Sequence, residues 1–196
     1  MNKLKNLKKL RIEFDLTTDH RHELCLEAFA NTPIPSLRSL EIGGFIELSS
    51  LISMKASFPN LEKFHGDLYL NAEDHRSIGS INVILHTFPK LKKLVHIQSD
   101  AYFQPTGEIF PNMTILKLYC DNGNIEVTAD LIKAFPNLEV IQVEQLIPRV
   151  DMFQALLESK VWQISIKIPF RVLKNVVQLK KLKQKLIRKC QCCCSI

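Results

Sequence analysis

The chain has 196 residues, 46% of them hydrophobic and 23% charged, which is enough apolar material for one domain or a short repeat array. That balance excludes wholesale disorder, and 6 glycines exclude a collagen-like chain. No apolar run approaches the roughly 18 residues needed to cross a bilayer, and the opening Met1-Asn2-Lys3-Leu4-Lys5-Asn6-Leu7-Lys8 breaks its leucines with charge, so no secretory leader is expected there.

The net charge of +6 conceals an asymmetry. Residues 159–196 hold 10 of the 26 Lys and Arg and none of the 20 acids, so they carry +10 and the preceding residues −4. A basic tail on a mildly acidic body points to a local anionic partner. The cysteines are as uneven. Cys25 and Cys120 stand alone, whereas Cys190, Cys192, Cys193 and Cys194 crowd together at the end. A disulfide framework spreads its cysteines along the fold, so this pattern implies a reducing, cytosol-facing compartment.

One pattern recurs along the chain: apolar, two variable positions, apolar, one variable position, apolar. It runs through Leu7-Lys8-Lys9-Leu10-Arg11-Ile12 and Leu37-Arg38-Ser39-Leu40-Glu41-Ile42, then a weaker copy, Leu61-Glu62-Lys63-Phe64-His65-Gly66. Leu91-Lys92-Lys93-Leu94-Val95-His96 and Met113-Thr114-Ile115-Leu116-Lys117-Leu118 follow. Leu138-Glu139-Val140-Ile141-Gln142-Val143 and Val161-Trp162-Gln163-Ile164-Ser165-Ile166 complete the series. Periods of this size mark stacked repeats. The last two apolar positions of each copy are two apart, so they share one face of a short strand.

Phe58-Pro59-Asn60, Phe88-Pro89-Lys90, Phe110-Pro111-Asn112 and Phe135-Pro136-Asn137 precede four copies, and Pro35 takes the same place after Ile34. Proline there is expected to stop a helix and set an extended lead-in to the strand, with the Phe filling the core. Helical stretches are predicted between strands. Asp19 can cap a segment through Phe29. Leu48, Leu51, Ile52 and Met54 form an inward stripe, as do Ile81, Ile84, Leu85 and Phe88. Thr128 or Asp130 can start a short helix, and Asp151 can cap 152–160 with Phe153, Leu156 and Leu157 inward.

These copies resemble leucine-rich repeats over roughly residues 4–168, most closely the irregular repeats of F-box-type substrate adaptors and of bacterial effectors that imitate host proteins. The resemblance implies an α/β solenoid of about seven repeats, with a parallel concave sheet and convex helices. The family's Asn or Cys after the third anchor is mostly missing, with Asp15 and Asp121 there in two units and Phe45 or Tyr69 in others, so no regular asparagine ladder is expected. Gly66 and His96 replace apolar anchors.

Strand alternation puts the third, fifth and seventh positions of each unit on the concave face. Lys9, Arg11, Glu41, Lys63, His65 and Lys93 supply charge early; Ile115, Lys117, Tyr119, Val140 and Gln142 form a more apolar later surface. A protein partner on this face is the expectation, because apolar and aromatic anchors sit beside polar groups.

The tail divides further. Over 170–189, Val172, Val176, Leu179, Leu182 and Leu186 recur at helical spacing, and Lys180, Lys181, Lys183, Lys185, Arg188 and Lys189 supply charge. This basic amphipathic helix can cap the repeat domain of 1–169, lie on an anionic membrane surface, or do both. Residues 190–196 form a cysteine-rich segment whose Cys193-Cys194-Ser195-Ile196 resembles the prenylation signal of small GTPases and of lipid-anchored bacterial effectors. That resemblance implies a prenyltransferase as partner, the isoprenoid on Cys193, farnesyl or geranylgeranyl, and palmitoylation at Cys190 and Cys192. One lipid chain binds only marginally, and the polybasic helix supplies the second signal.

Other chemistries lack support. Asp19-His20-Arg21-His22-Glu23 reads as a charged helix start, because His20 and His22 fall on different helix faces. Four thiols within five residues cannot readily wrap one zinc ion, so no metal or cofactor is expected. Nucleic acid is not an expected partner, since no aromatic residues interleave the lysines. No phosphate-binding loop, zinc-protease or serine-hydrolase motif occurs, so no enzyme is expected. The expected protein is a lipid-anchored interaction module at the cytosolic face of a membrane, cytoplasmic if unmodified. The competing expectations are a substrate-recognition subunit of a ubiquitin ligase, and an enzyme with an unrecognised site.

Overall fold

The computed structural model describes residues 4–13, 29, 32–69, 80–97, 103–119, 128–144 and 150–167. The expected helix capped by Asp19 (Phe29 apart), Cys25, Cys120 and everything from 168 onward, with the basic helix and the lipidation cysteines, lie outside them.

The architecture is α/β. Seven parallel strands form one sheet in chain order: β1 (Lys9–Glu13), β2 (Ser39–Glu47), β3 (Lys63–Tyr69), β4 (Lys93–Ile97), β5 (Ile115–Tyr119), β6 (Val140–Glu144) and β7 (Gln163–Lys167). Four helices are described between them: α1 (Leu48–Ser53), α2 (Ser80–Thr87), α3 (Ala129–Ala134) and α4 (Val150–Glu158). Sequential parallel order is compatible with a solenoid, in which each unit meets only its neighbours.

Each recurring sequence position has one structural task. The first anchor is fully buried in five interior units, at Leu37, Leu61, Leu91, Met113 and Leu138. Leu40, Phe64, Leu94, Leu116 and Ile141 behave likewise at the second anchor. In the outermost described units Leu10 and Ile164 are only half-buried, because each has a described strand on one side alone. The second-position carbonyl accepts two backbone N–H groups from the next unit. Lys8 O takes Arg38 N and Ser39 N at 2.9 and 3.0 Å, and the pattern repeats at Arg38, Glu62, Lys92, Thr114 and Glu139. The backbone thereby sets the register before any side chain acts.

The Phe-Pro segments make tight turns rather than extended lead-ins. The N–H groups of Leu37, Leu61, Leu91, Met113 and Leu138 donate back to Ile34, Phe58, Phe88, Phe110 and Phe135 at 3.0–3.3 Å. Proline occupies the second turn position, where its fixed φ is preset. Phe58, Phe88 and Phe135 are fully buried, whereas Phe110 is half-buried. Phe64 stacks obliquely on Phe88 at 5.9 Å, and Phe135 contacts both Phe103 and Phe110.

A polar ladder runs where none was expected. The side-chain amides of Asn60, Asn112 and Asn137 donate to the carbonyls of Pro35, Pro89 and Pro111 at 2.9, 3.1 and 2.9 Å. Lys90 and Lys160 donate to the amide oxygens of Asn60 and Asn137. The residue before the first anchor thus ties each turn to the preceding one.

Three local expectations change. Leu51 and Met54 of the expected stripe are buried, but Ile52 is 52% exposed, because it follows Leu51 directly in α1 and one residue turns about 100° around a helix. Helix α4 starts at Val150, so Asp151 lies inside its first turn and Ser159 and Lys160 lie beyond it; Met152, Ala155 and Leu156 form its buried face, and Leu157 is half-buried. Phe45 is shifted by a bulge in β2 between Glu41 and Phe45, which brings it into register with Asp67. Thr128 caps α3, accepting the Leu131 N–H at 3.3 Å, and Asp130 sits in the first turn.

Gly66 and His96 turn out to be neighbours in register. A methyl group on Gly66 would sit 3.2 Å from Ile46 Cδ1 and from Phe64 Cζ and 3.3 Å from the Ile42 carbonyl, so any side chain there requires its neighbours on β2 and β3 to give way by a few tenths of an ångström. The imidazole of His96 is fully buried and its Nδ1 lies 3.1 Å from the Gly66 carbonyl, which makes Nδ1 the donor.

Candidate functional site

The candidate site is the sheet face opposite the helix-packed core. Two rows cross all seven strands in register. One is Lys9, Ser39, Lys63, Lys93, Ile115, Val140 and Gln163; the other is Arg11, Glu41, His65, Val95, Lys117, Gln142 and Ser165. The sequence-predicted residues therefore share one face. Period-2 alternation explains this, since their strand neighbours Leu10, Leu40, Phe64 and Leu94 point to the core. In the third row Tyr119 pairs with Ile97 and is half-exposed. Val95, 8% exposed, is the single position in these two rows that is buried.

Within these two rows charge is confined to β1–β5, and the first strands concentrate it; Glu144 and Lys167 add charge only at the ends of β6 and β7. Arg11 bridges Glu13 on its own strand and approaches Glu41 with Nε at 3.6 Å. His65 Nδ1 also lies 3.6 Å from Glu41. At the rim, Glu62 lies 3.1 Å from Lys92 Nζ and 3.8 Å from Arg38 Nε. A hollow of about 490 Å³ lies over these strands, floored by Ser39, Lys63, His65 and Val95 and flanked by Lys8 and Arg38. Sequence reasoning missed the second-position residues Lys8, Arg38 and Glu62, which the strand ends bring beside the third-position row. Their adjacency to that row was the available signal.

The later strands differ in kind. Ile115, Val140 and Tyr119 are half-exposed on this face beside Lys117 and Gln142. Such a surface offers apolar contact area with few charges to desolvate.

On the opposite side, His86 Nε2 lies 2.6 Å from Glu108 Oε2, and Thr106 Oγ1 donates to the same oxygen at 3.2 Å. The hydrogen bond from His86 holds the Glu108 carboxyl below the usual glutamate range, and its charge and the Thr106 bond act the same way. The pair is exposed and stands beside a hollow of about 340 Å³ lined by Phe103, Pro105, Ile109 and Ala134. Among the described residues no group of three or more His, Cys, Asp or Glu could hold a metal ion, and no helix is long and apolar enough to cross a membrane.

No family model matches the chain, and no curated protein sequence matches it.

Proposed function

We propose that the chain is a leucine-rich-repeat-type interaction module that recruits a partner protein to the cytosolic face of a membrane. The observation that carries this reading is the uninterrupted, in-register side-chain surface across seven parallel strands, with every helix-packed anchor on the other side. Apart from Val95, every described position of its two rows is at least partly open to solvent. Its polar half supplies specificity, and Ile115, Val140 and Tyr119 supply contact area.

Membrane attachment rests on the sequence. In a chain ending at Ile196, Cys193 is the prenylated residue, Cys190 and Cys192 are available for acylation, and the lysines of 180–189 attract an anionic leaflet. Each basic residue near such a surface contributes about 1 kcal/mol, so these five lysines together with Arg188 act on the scale of an acyl chain. Tethering confines the module to two dimensions and raises its effective concentration toward partners on the same membrane.

The test is made in eukaryotic cells. The intact mass should carry an isoprenoid, and Cys193→Ser should move the protein from the membrane to the soluble fraction. Unchanged fractionation of that variant, with no added mass on the parent, refutes the tether. The recruiting surface is tested separately with Val140→Glu and Tyr119→Ala, which should abolish proximity labelling of membrane neighbours while leaving fractionation intact.

A further inference from the structure

The hollow over the first strands carries more positive charge than the fold uses. Five cations line it, Lys8, Lys9, Arg38, Lys63 and Lys93, against two carboxylates, Glu41 and Glu62. Both carboxylates are already matched: Glu41 by Arg11 and His65, Glu62 by Lys92 and Arg38. Among the described residues Lys8, Lys9, Lys63 and Lys93 take part in no ion pair. Lys63 and Lys93 are, moreover, direct register partners on adjacent strands. Like charges placed opposite one another destabilise a sheet. The arrangement opposes folding and suits a counter-charge brought from outside.

We propose that this hollow binds an acidic, extended peptide segment of the partner protein, laid along the Lys9–Ser39–Lys63–Lys93 row. The inference deepens the protein-recruiting reading and rests on it. The dimensions agree. Adjacent strands lie about 4.8 Å apart, so the row spans about 14 Å from Lys9 to Lys93, the length of four to five extended residues. Alternate side chains of an extended segment project to one side, so two or three carboxylates of such a segment reach the lysines. Ser39 sits between Lys9 and Lys63 and offers a hydroxyl to the intervening backbone. A nucleic acid is less well served: of the two rings lining the hollow, Phe64 is buried on the core side and the His65 imidazole is turned to Glu41 at 3.6 Å, so no run of stacking rings follows the lysines. A flat lipid surface does not enter a hollow.

The full chain is titrated with a fluorescent hexapeptide of alternating Glu and Asp, and with its Gln/Asn counterpart, at low salt. The acidic peptide should bind saturably and the neutral one should not. The Lys63→Gln/Lys93→Gln variant should weaken binding at least tenfold, and 0.5 M salt should abolish it, because exposed charges are screened within a few ångströms there. Both lysines are on the sheet surface, and an unchanged thermal melt verifies that the variant folds. Equal affinity for the two peptides, or unchanged affinity in the variant, overturns the assignment. So does tighter binding of oligothymidylate, or of phosphatidylserine vesicles in a manner that the double variant abolishes. If peptide binding fails while Val140→Glu still abolishes proximity labelling, the recruiting face stands and the acidic occupant falls. If peptide binding succeeds and Val140→Glu changes no labelling, the acidic occupant stands and the later strands lose their role.

Discussion

Leu94→Ala probes whether neighbouring units share one continuous core. Leu94 lies on the central strand β4, fully buried, in register with Phe64 on one side and Leu116 on the other. Removing three carbons from a site enclosed on all sides costs the transfer free energy and leaves a cavity, about 3–5 kcal/mol together. Leu10 occupies the equivalent position on β1, is half-buried and has Leu40 on one side only. Its truncation opens a gap reachable by solvent, for which about 1–2 kcal/mol is expected. For a chain of this length each kcal/mol shifts the melting temperature by about 2–4 °C, so Leu94→Ala should lower it by roughly 6–20 °C and Leu10→Ala by roughly 2–8 °C. Circular dichroism melts and urea titrations of both variants, with Leu94→Met as a volume-conserving control, make the comparison. Equal losses at the two positions would refute the shared-core argument, as would a loss below about 1 kcal/mol at Leu94.

Asn112→Ala should cost about 0.5–1.5 kcal/mol in urea titrations, because it removes the hydrogen bond to the Pro89 carbonyl, and Asn137→Ala should cost at least as much, because it removes the bond to Pro111 and the one accepted from Lys160. Asn112→Asp should cost more at neutral pH, since a carboxylate would face the Pro89 carbonyl without a proton to donate. Glu108 should titrate below the usual glutamate range in a carbon-detected NMR titration, and His86→Ala should bring it back up. Because its folded pKa is depressed, its contribution is complete above the unfolded glutamate pKa and is lost as pH falls through the lower folded value. Gly66→Val should destabilise more than Gly66→Ala, by about 1–3 kcal/mol, since the alanine methyl meets Ile46 and Phe64 at 3.2 Å and the extra carbons have nowhere to go.

The strands were legible because two signals coincide in each unit: alternation fixes the face, and the first anchor fixes the phase. Ile141 and Val143 cannot both be inward unless Val140 and Gln142 are outward, so one assignment determines the rest. The helices were less legible. A six-residue helix such as α1 has less than two turns, too short for periodicity to separate Leu51 from Ile52, so the stripe from Leu48 to Met54 took in both although only Leu51 faces the core. The asparagine ladder was missed for another reason. Its acceptors are proline carbonyls 23–26 residues upstream, and the attention proline draws as a helix breaker hides the residue beside it. The bulge in β2 had its signal in the Gly43-Gly44 pair, which gives the backbone the freedom a bulge uses. At the site, the alternation rule located the two rows but not the rim, because second-position residues belong to the turn into the strand rather than to the alternation.

Tether and reading surface can act independently only if the membrane does not claim the lysines of the hollow. With strands about 4.8 Å apart, β4 lies about 14 Å from β7 and β1 about 29 Å from it. The Debye length at physiological salt is about 8 Å. In an array held by the chain that follows β7, the anionic leaflet would be screened before it reached Lys93, and Lys9 would lie several screening lengths away. In such an array the later strands would lie nearer the proposed anchor; they present Ile115, Val140 and Gln142 and, apart from Lys117 and Glu144, no described charge on this face through β6. Charge kept far from the bilayer and apolar contact area placed close to it is the order a tethered recruiter needs, because the leaflet then competes for neither. A module bound face-down would behave otherwise: Lys63→Gln/Lys93→Gln would weaken its vesicle binding as much as removal of the tail lysines does.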